Sequence, residues 1–161
     1  MAKINPLRTF ADKCLTYPHG LAMFLLTFVF RYKVKLVRTA GVKILDTDLK
    51  QVTFFQKNRT KVQNHIGGVH AAAMALLAES ASGFVVGLNL PGDKLPLIKS
   101  MNLKYVKRSV GDITAVAHVT DKQILQMQSE DKGDLMVAVK VTDESGDEPV
   151  ICEMNWAWIS K

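Results

Sequence analysis

The chain has 161 residues, 48% of them apolar and 22% charged, with a net charge of +6. These proportions exclude a disordered, collagenous or disulfide-stapled chain, and the length suits one domain with a sizeable core. The charge is uneven: residues 1–65 carry twelve Lys/Arg against three Asp, and residues 66–161 carry nine against twelve acidic groups. A basic half fits an anionic partner (nucleic acid, phospholipid or a phosphorylated small molecule) and equally fits an ordinary solvated face.

Residues 6–15 read as a short helix with Pro6 in its first turn, broken by Pro18 and Gly20. A second helix is predicted over 20–31. Its run Gly20–Phe30 is eleven residues long and is followed at once by Arg31, Lys33 and Lys35. That is too short to span a bilayer, and no cleavage site follows it. It reads as a helix that is either buried or lying on a membrane surface, contact through residues 20–35 being the membrane alternative. The expectation is a soluble cytoplasmic protein. Cys14 and Cys152 show no CxxC or Cys/His spacing and read as two buried thiols in a reducing compartment, with one disulfide as the alternative.

From Val34 the pattern turns strand-like through Leu36, then Gly41–Asp46 and Leu49–Phe55, with 58–63 as loop. A helix apolar nearly all round, hence buried, is predicted over Val69–Ser82, with Gly83 as its C-terminal stop. Pro91-Gly92-Asp93 marks a turn. Strands follow at Ile98–Lys107, Asp112–Val119, Asp134–Thr142 and Val150–Ile159, with hairpin turns at Gly111-Asp112 and Glu144–Asp147. Residues 121–131 are polar, either a short helix or a loop. In the last strand Cys152, Met154, Trp156 and Trp158 share one face. Successive strands around one buried helix give an α+β fold with an antiparallel sheet.

Chemistry concentrates at the central helix. Between Lys61 and Asp93 the one charged residue is Glu79. A carboxylate on an apolar helix is costly to bury, and burial raises its pKa towards the range of a general base or nucleophile. A helix-end Glu that reaches solvent or hydrogen-bonds a neighbour fits the same composition. Gly67-Gly68 ahead of the helix permits a tight turn with outward N–H groups, which with the helix dipole suits a developing oxyanion. Asn64 can add an amide N–H, though Asn in a loop is also an ordinary turn former. His70 and Glu79 lie nine positions apart, about 900° of rotation and ~13.5 Å of rise, so they cannot meet within one chain. If the turn and Glu79 serve one site, two helices must run antiparallel in a symmetric dimer.

Other constellations fail. No HExxH, Walker loop, GxGxxG or G-x-S-x-G is present. His65 and His70 are about 140° apart around a helix, a poor metal pair. Val52–Arg59 mixes aromatic and basic residues without the RNP1 pattern, so no nucleic-acid partner is expected.

Asn64-His-x-Gly67-x-x-His70-Ala-Ala, followed by Leu77-Ala-Glu79-Ser-Ala81, resembles the hot-dog thioesterase superfamily, most of all its PaaI-type and DUF4442 acyl-CoA thioesterase-like branch. Tyr105-Val-Lys-Arg-Ser-Val-Gly-Asp112 is similar to the family's strand and turn. The resemblance covers about residues 40–160. It implies a hot-dog fold, an antiparallel sheet wrapped around one long helix, dimerised so that two sheets become continuous. Residues 1–33 would form an N-terminal helical extension and 34–161 the hot-dog domain.

The resemblance also implies roles. Glu79 would be the catalytic acid/base or nucleophile, with Asn64 and Gly68 at the thioester carbonyl and Val69 or His70 supplying an oxyanion N–H. His65, Gly67, Ser80, Lys107 and Arg108 would join Val69 and His70 in binding substrate. Two departures stand out: the family's His-Gly-Gly is His70-Ala71-Ala72, and its proline after Arg is Ser109. The expected activity is hydrolysis of an acyl-CoA or similar thioester by a homodimer or dimer of dimers, with no metal or redox cofactor. The alternative is a non-catalytic acyl-thioester or lipid-binding module.

Overall fold

The computed structural model describes residues 4–161; the first three residues of the expected N-terminal extension lie outside it. Six strands form one antiparallel sheet: β1 (Lys43–Thr47), β2 (Gln51–Gln56), β3 (Lys94–Tyr105), β4 (Ile113–His118), β5 (Gly133–Asp143) and β6 (Val150–Ser160). Their order is β1-β2-β4-β5-β6-β3. Alternate residues turn inward, such as Ile113, Ala115 and Ala117 on β4 and Met154, Trp156 and Trp158 on β6, as a half-buried sheet requires. That face packs on one helix, α4 (Ala71–Asn89), which touches strands β2 to β6. This is the expected arrangement.

Helix α4 runs seven residues beyond the expected stop. Gly83 is not a cap; it is an approach point. A Cβ there would stand 2.6 Å from Cζ2 and Cη2 of Trp156, whose Nε1–H donates to Ser82 Oγ at 2.9 Å. Gly83 therefore lets the helix press onto β6, a packing role that no local signal distinguishes from a terminator. By length and composition α4 could cross a membrane, but twelve of its nineteen residues are buried in the fold.

The N-terminal helices are α1 (Pro6–Cys14), α2 (His19–Lys33) and α3 (Lys35–Ala40). Asn5 caps α1, accepting from the N–H groups of Leu7 and Arg8, and its side-chain amide donates to Gly87 O and Leu90 O at 2.7 Å. That ties the chain start to the end of α4. Phe30 of α2 meets Phe54 of β2 and Phe84 of α4 edge-on, with centroids 5.5 and 5.2 Å apart. So α2 lies on the same side of the sheet as α4.

The strand expected from Val34 is helix α3. The Val34/Leu36 alternation misled: Leu36 is exposed, whereas Val37 and Ala40, three apart, are buried, which is helical spacing. Gly41 closes α3, its N–H donating to Val37 O at 2.8 Å. Residues 121–129 are helical as α5 (Asp121–Ser129), started by a Thr120–Gln123 capping box.

The 144–147 turn does join neighbours, β5 and β6. Gly111-Asp112 does not, because β3 pairs with β6 and not with β4. Residues 106–112 are instead a crossover from the sheet's edge, held by Val110 N–H to Asp143 Oδ2 at 2.9 Å and by Asn58 N–H to Asp112 Oδ1 at 2.7 Å. Burial pushes the Asp143 carboxyl up, but hydrogen bonds from Ser145 and from backbone N–H groups outweigh it and hold the pKa below the ordinary value. Cys14 and Cys152 are free thiols; Cys14 is buried as expected, whereas Cys152 is only partly buried, and burial, then the Glu148 carboxylate, raise its pKa to about 11.

Candidate functional site

The turn before α4 is built by Asn64. Its Oδ1 accepts from the N–H groups of Ile66 (3.0 Å) and Gly68 (3.1 Å), and its carbonyl accepts from Gly67 N–H (3.2 Å). Gly67 takes φ +82°, a conformation that favours glycine. The N–H groups of Gly67 and Gly68 therefore point inward to Asn64, not outward as expected. An Asx turn consumes them.

The outward donors are the next ones. A bridge between Gln63 and Val69 uses Asn64 N–H to Gly68 O and His70 N–H to Val62 O, which leaves Val69 N–H facing away from that pairing. At the helix start His70 Nδ1 accepts from Ala72 N–H at 3.0 Å. Val69 and Ala71 thus keep N–H groups that no described residue accepts. They sit at the positive end of α4. Asn64 Nδ2 likewise has no acceptor among the described residues and lies on the Gly68 side of the turn, 3.7 Å from where a Gly68 Cβ would stand.

Beside this turn is a cleft of about 290 Å³ lined by Asn64, Gly68, Val69, Tyr105, Lys107 and Arg108, among others. The crossover brings it together. The Tyr105 hydroxyl donates to Ala71 O at 2.7 Å, and Ser109 Oγ to Val69 O at 3.4 Å. A Cβ on Gly68 would meet Ser109 Oγ at 3.1 Å, so glycine allows the loop to close on the turn. Tyr105 and Ser109 were not singled out as site residues. Their signal was their place on either side of Lys107-Arg108. Burial, then Cys152, raises the Tyr105 pKa. Lys107 Nζ pairs with Asp147 Oδ2 at 2.9 Å, while Arg108 is exposed with no carboxylate partner among the described residues. Both lie in the loop after β3, not on the strand itself.

The two histidines lie elsewhere. His65 is exposed on the turn and lines neither cleft. His70, the cap of α4, lines a second cleft of about 260 Å³ with Leu36, Thr39 and Leu76.

Glu79 stands eight residues into α4, about 12 Å along the axis from Ala71, so one chain does not bring it to the cleft. It is half-buried, and no cation pairs with it among the described residues. Burial raises its pKa, opposed by a hydrogen bond from Ser80 Oγ to Oε2 at 3.4 Å; Ser80 itself is buried. Glu79 and Gly83 are four apart and share a face. Since Gly83 abuts Trp156, Glu79 lies on the side of α4 that packs over β6, the strand next to the β3 edge of the sheet. The β3 edge has no partner strand among the described residues. It is twelve residues long and exposes Leu95, Leu97 and Met101. Among the described residues no group of three His, Cys, Asp or Glu is placed to hold a metal.

The family model described as "Domain of unknown function (DUF4442)" matches residues 22–159. No curated protein matches the chain in sequence. A Pseudomonas aeruginosa protein described as of unknown function and a probable thioesterase superposes with TM-score 0.77 at 23% identity, over 90% of this chain and 97% of that one. A thioesterase from Haemophilus influenzae gives TM-score 0.64 at 14% identity over 78% and 82%. A thioesterase enzyme from Staphylococcus aureus, in a variant form, gives 0.65 at 17% over 78% and 98%. At these identities the likeness shows the fold, which is that of the hot-dog thioesterases.

Proposed function

The chain belongs to the DUF4442 family, and from that premise and the site's geometry we propose that it hydrolyses an acyl-CoA or similar acyl thioester at a site shared by two copies. One observation carries the reading. The unspent N–H donors at the start of α4 and the half-buried, cation-free Glu79 are complementary in chemistry yet more than two turns apart on one helix. A two-fold partner whose β3 edge pairs with this one sets the start of one α4 near the Glu79 of the other.

In that site the thioester carbonyl oxygen is held by the N–H groups of Val69 and Ala71 and by Asn64 Nδ2, where negative charge develops. Glu79 of the other copy takes a proton from water as the water oxygen bonds to the carbonyl carbon, or attacks that carbon itself. The C–S bond then breaks and the thiolate leaves as the thiol, taking up the proton that Glu79 drew from the water; on the attack route the thiolate is protonated from solvent, and water then hydrolyses the acyl–Glu79 anhydride to free the acid and restore the carboxylate. Arg108, with Lys107 beside it, lies where a phosphate-bearing carrier enters the cleft. The bonds made and broken need no redox partner.

The test is Glu79→Gln, which keeps volume and hydrogen bonding and removes the base. Free thiol released from a panel of acyl-CoAs should fall about 10²–10⁴-fold while substrate binding persists. Parental turnover in that variant would sink the mechanism. Binding without turnover in the parent itself would leave a thioester-binding module.

A further inference from the structure

Helix α2 is apolar on two opposite faces. Ala22, Met23 and Leu26 point into the fold. Leu21, Phe24, Phe28 and Tyr32, at spacings of three and four, form a continuous stripe on the outside and are 46%, 63%, 61% and 67% exposed. Phe24 and Phe28 stack at 6.5 Å. Four large side chains aligned on one helix face are more than scattered surface apolars; such a patch marks an interaction surface.

The surrounding charge selects what covers it. From residue 13 to residue 45 the chain has six Lys/Arg and no Asp or Glu. Lys43 and Arg31 share a cleft with Phe24 and Phe28 on one flank, and Lys33 Nζ lies 5.9 Å over the Tyr32 ring. Arg31 is spent on the carbonyls of Gly41 and Val42, whereas Lys33, Lys35 and Lys43 have no carboxylate partner among the described residues. The acid nearest to the helix, Asp46, stands at its N-terminal end, 3.9 Å from His19 Nδ1 and at the opposite end from Lys33 and Lys35. An anionic lipid surface meets both features, taking the rings into the acyl boundary and the lysines at its headgroups. At fifteen residues, roughly 22 Å, the helix can lie along a bilayer but not cross it.

We propose that the outer face of α2 docks the protein on an anionic phospholipid surface, with Phe24, Phe28 and Tyr32 as interfacial anchors and Lys33, Lys35 and Lys43 as headgroup contacts. The proposal is independent of the hydrolysis reading and is tested without substrate. The whole chain is sedimented with vesicles of phosphatidylcholine alone and of phosphatidylcholine with one-third phosphatidylglycerol. Binding is expected on the anionic vesicles only, weakened by high salt. Phe24→Ser with Phe28→Ser should lower it by at least about tenfold. Lys33→Glu with Lys43→Glu, which removes no apolar area, should do likewise, and circular dichroism checks that each variant is folded. Absence of binding, equal binding to both vesicles, or binding indifferent to both double variants overturns the proposal. A solution mass that drops in the Phe24/Phe28 variant, with no vesicle binding by the parent, assigns the face to a second copy and overturns it too.

Discussion

Gly83→Ala isolates how the sheet holds the helix that carries Glu79. Inside a helix, Ala is worth about 1 kcal/mol over Gly, so propensity alone says the change stabilises. The structure says otherwise. The new Cβ would stand 2.6 Å from two ring carbons of Trp156, where carbon contacts settle near 3.5–4.0 Å, so about 1 Å must open. The ring has little freedom to give it. Trp156 is 6% exposed, its strand is paired on both sides through Ile98 and Leu135, and its Nε1–H is held by Ser82. Overpacking of this kind costs about 1–3 kcal/mol, and swinging the ring away would forfeit a hydrogen bond worth about 1 kcal/mol. The net expectation is a loss of about 1–2 kcal/mol, measured by urea unfolding at fixed protein concentration. Trp156→Phe deletes the two offending atoms, so in that background Gly83→Ala should turn stabilising, a coupling of at least about 1 kcal/mol. Gly87→Ala is the control. Its Cβ meets only the end of the Leu7 side chain at 3.3 Å, so the substitution should be neutral or mildly stabilising. If Gly83→Ala gains the full helix increment in the parent, the close approach of helix and sheet is not what that glycine serves.

Lys107→Ala with Arg108→Ala should raise KM for an acyl-CoA and leave kcat nearly unchanged, less so in high salt. Arg108→Ala alone should account for most of it, because Lys107 is engaged by Asp147; an equal effect on a substrate lacking the nucleotide would exclude a carrier contact. Asn64→Asp keeps the oxygen that holds the turn but removes the Nδ2 donor and adds a negative charge, so unfolding should be little changed while kcat falls about 10²–10³-fold. Light scattering at micromolar concentration should give at least twice the mass of one chain, and an active monomer would refute the shared site.

Most of the fold was legible because its signals are periodic. Strand-like patterning located all six strands, β3 beginning four residues earlier and ending two residues earlier than expected, and an unbroken apolar run with one carboxylate located α4. The failures were of long-range origin. Gly83 is punctuation by local rules, and only the Trp156 ring, 73 positions away in sequence, makes it part of the helix. Gly111-Asp112 has the chemistry of a hairpin, but sheet order sends β3 to the far edge, which depends on pairings no turn encodes. At the site the residue types were readable and the hydrogen-bond accounting was not. Asn64 spends its oxygen on the N–H groups of Ile66 and Gly68, which moves the free donors onward to Val69 and Ala71.

The ionisation of Glu79 decides whether this geometry can work as a base near neutral pH. Burial holds its pKa above the ordinary carboxylate value, and the Ser80 hydroxyl pulls weakly the other way. A positive helix end brought close by a partner would also favour the carboxylate, but it acts within one turn and is worth about 0.3–1 kcal/mol at exposed sites. Closing the β3 edge over the group deepens its burial at the same time, so the elevation should survive assembly. Such a group binds its proton more tightly folded than unfolded. Its stability contribution is therefore fully present below the unfolded value of about 4.3 and is lost as pH rises through the folded pKa. Glu79→Gln does not titrate. Its Tm should match the parent's below about pH 4 and exceed it increasingly towards neutrality, at constant protein concentration. The parent's kcat should fall on an acidic limb lying above 4.3, and a thermal scan series and a pH–rate profile read the same group in two ways. A Glu79→Gln protein less stable than the parent at pH 7 would mean that the carboxylate has a cationic or hydrogen-bonded partner in the assembly. Glu79 would then be a structural ion and not the base.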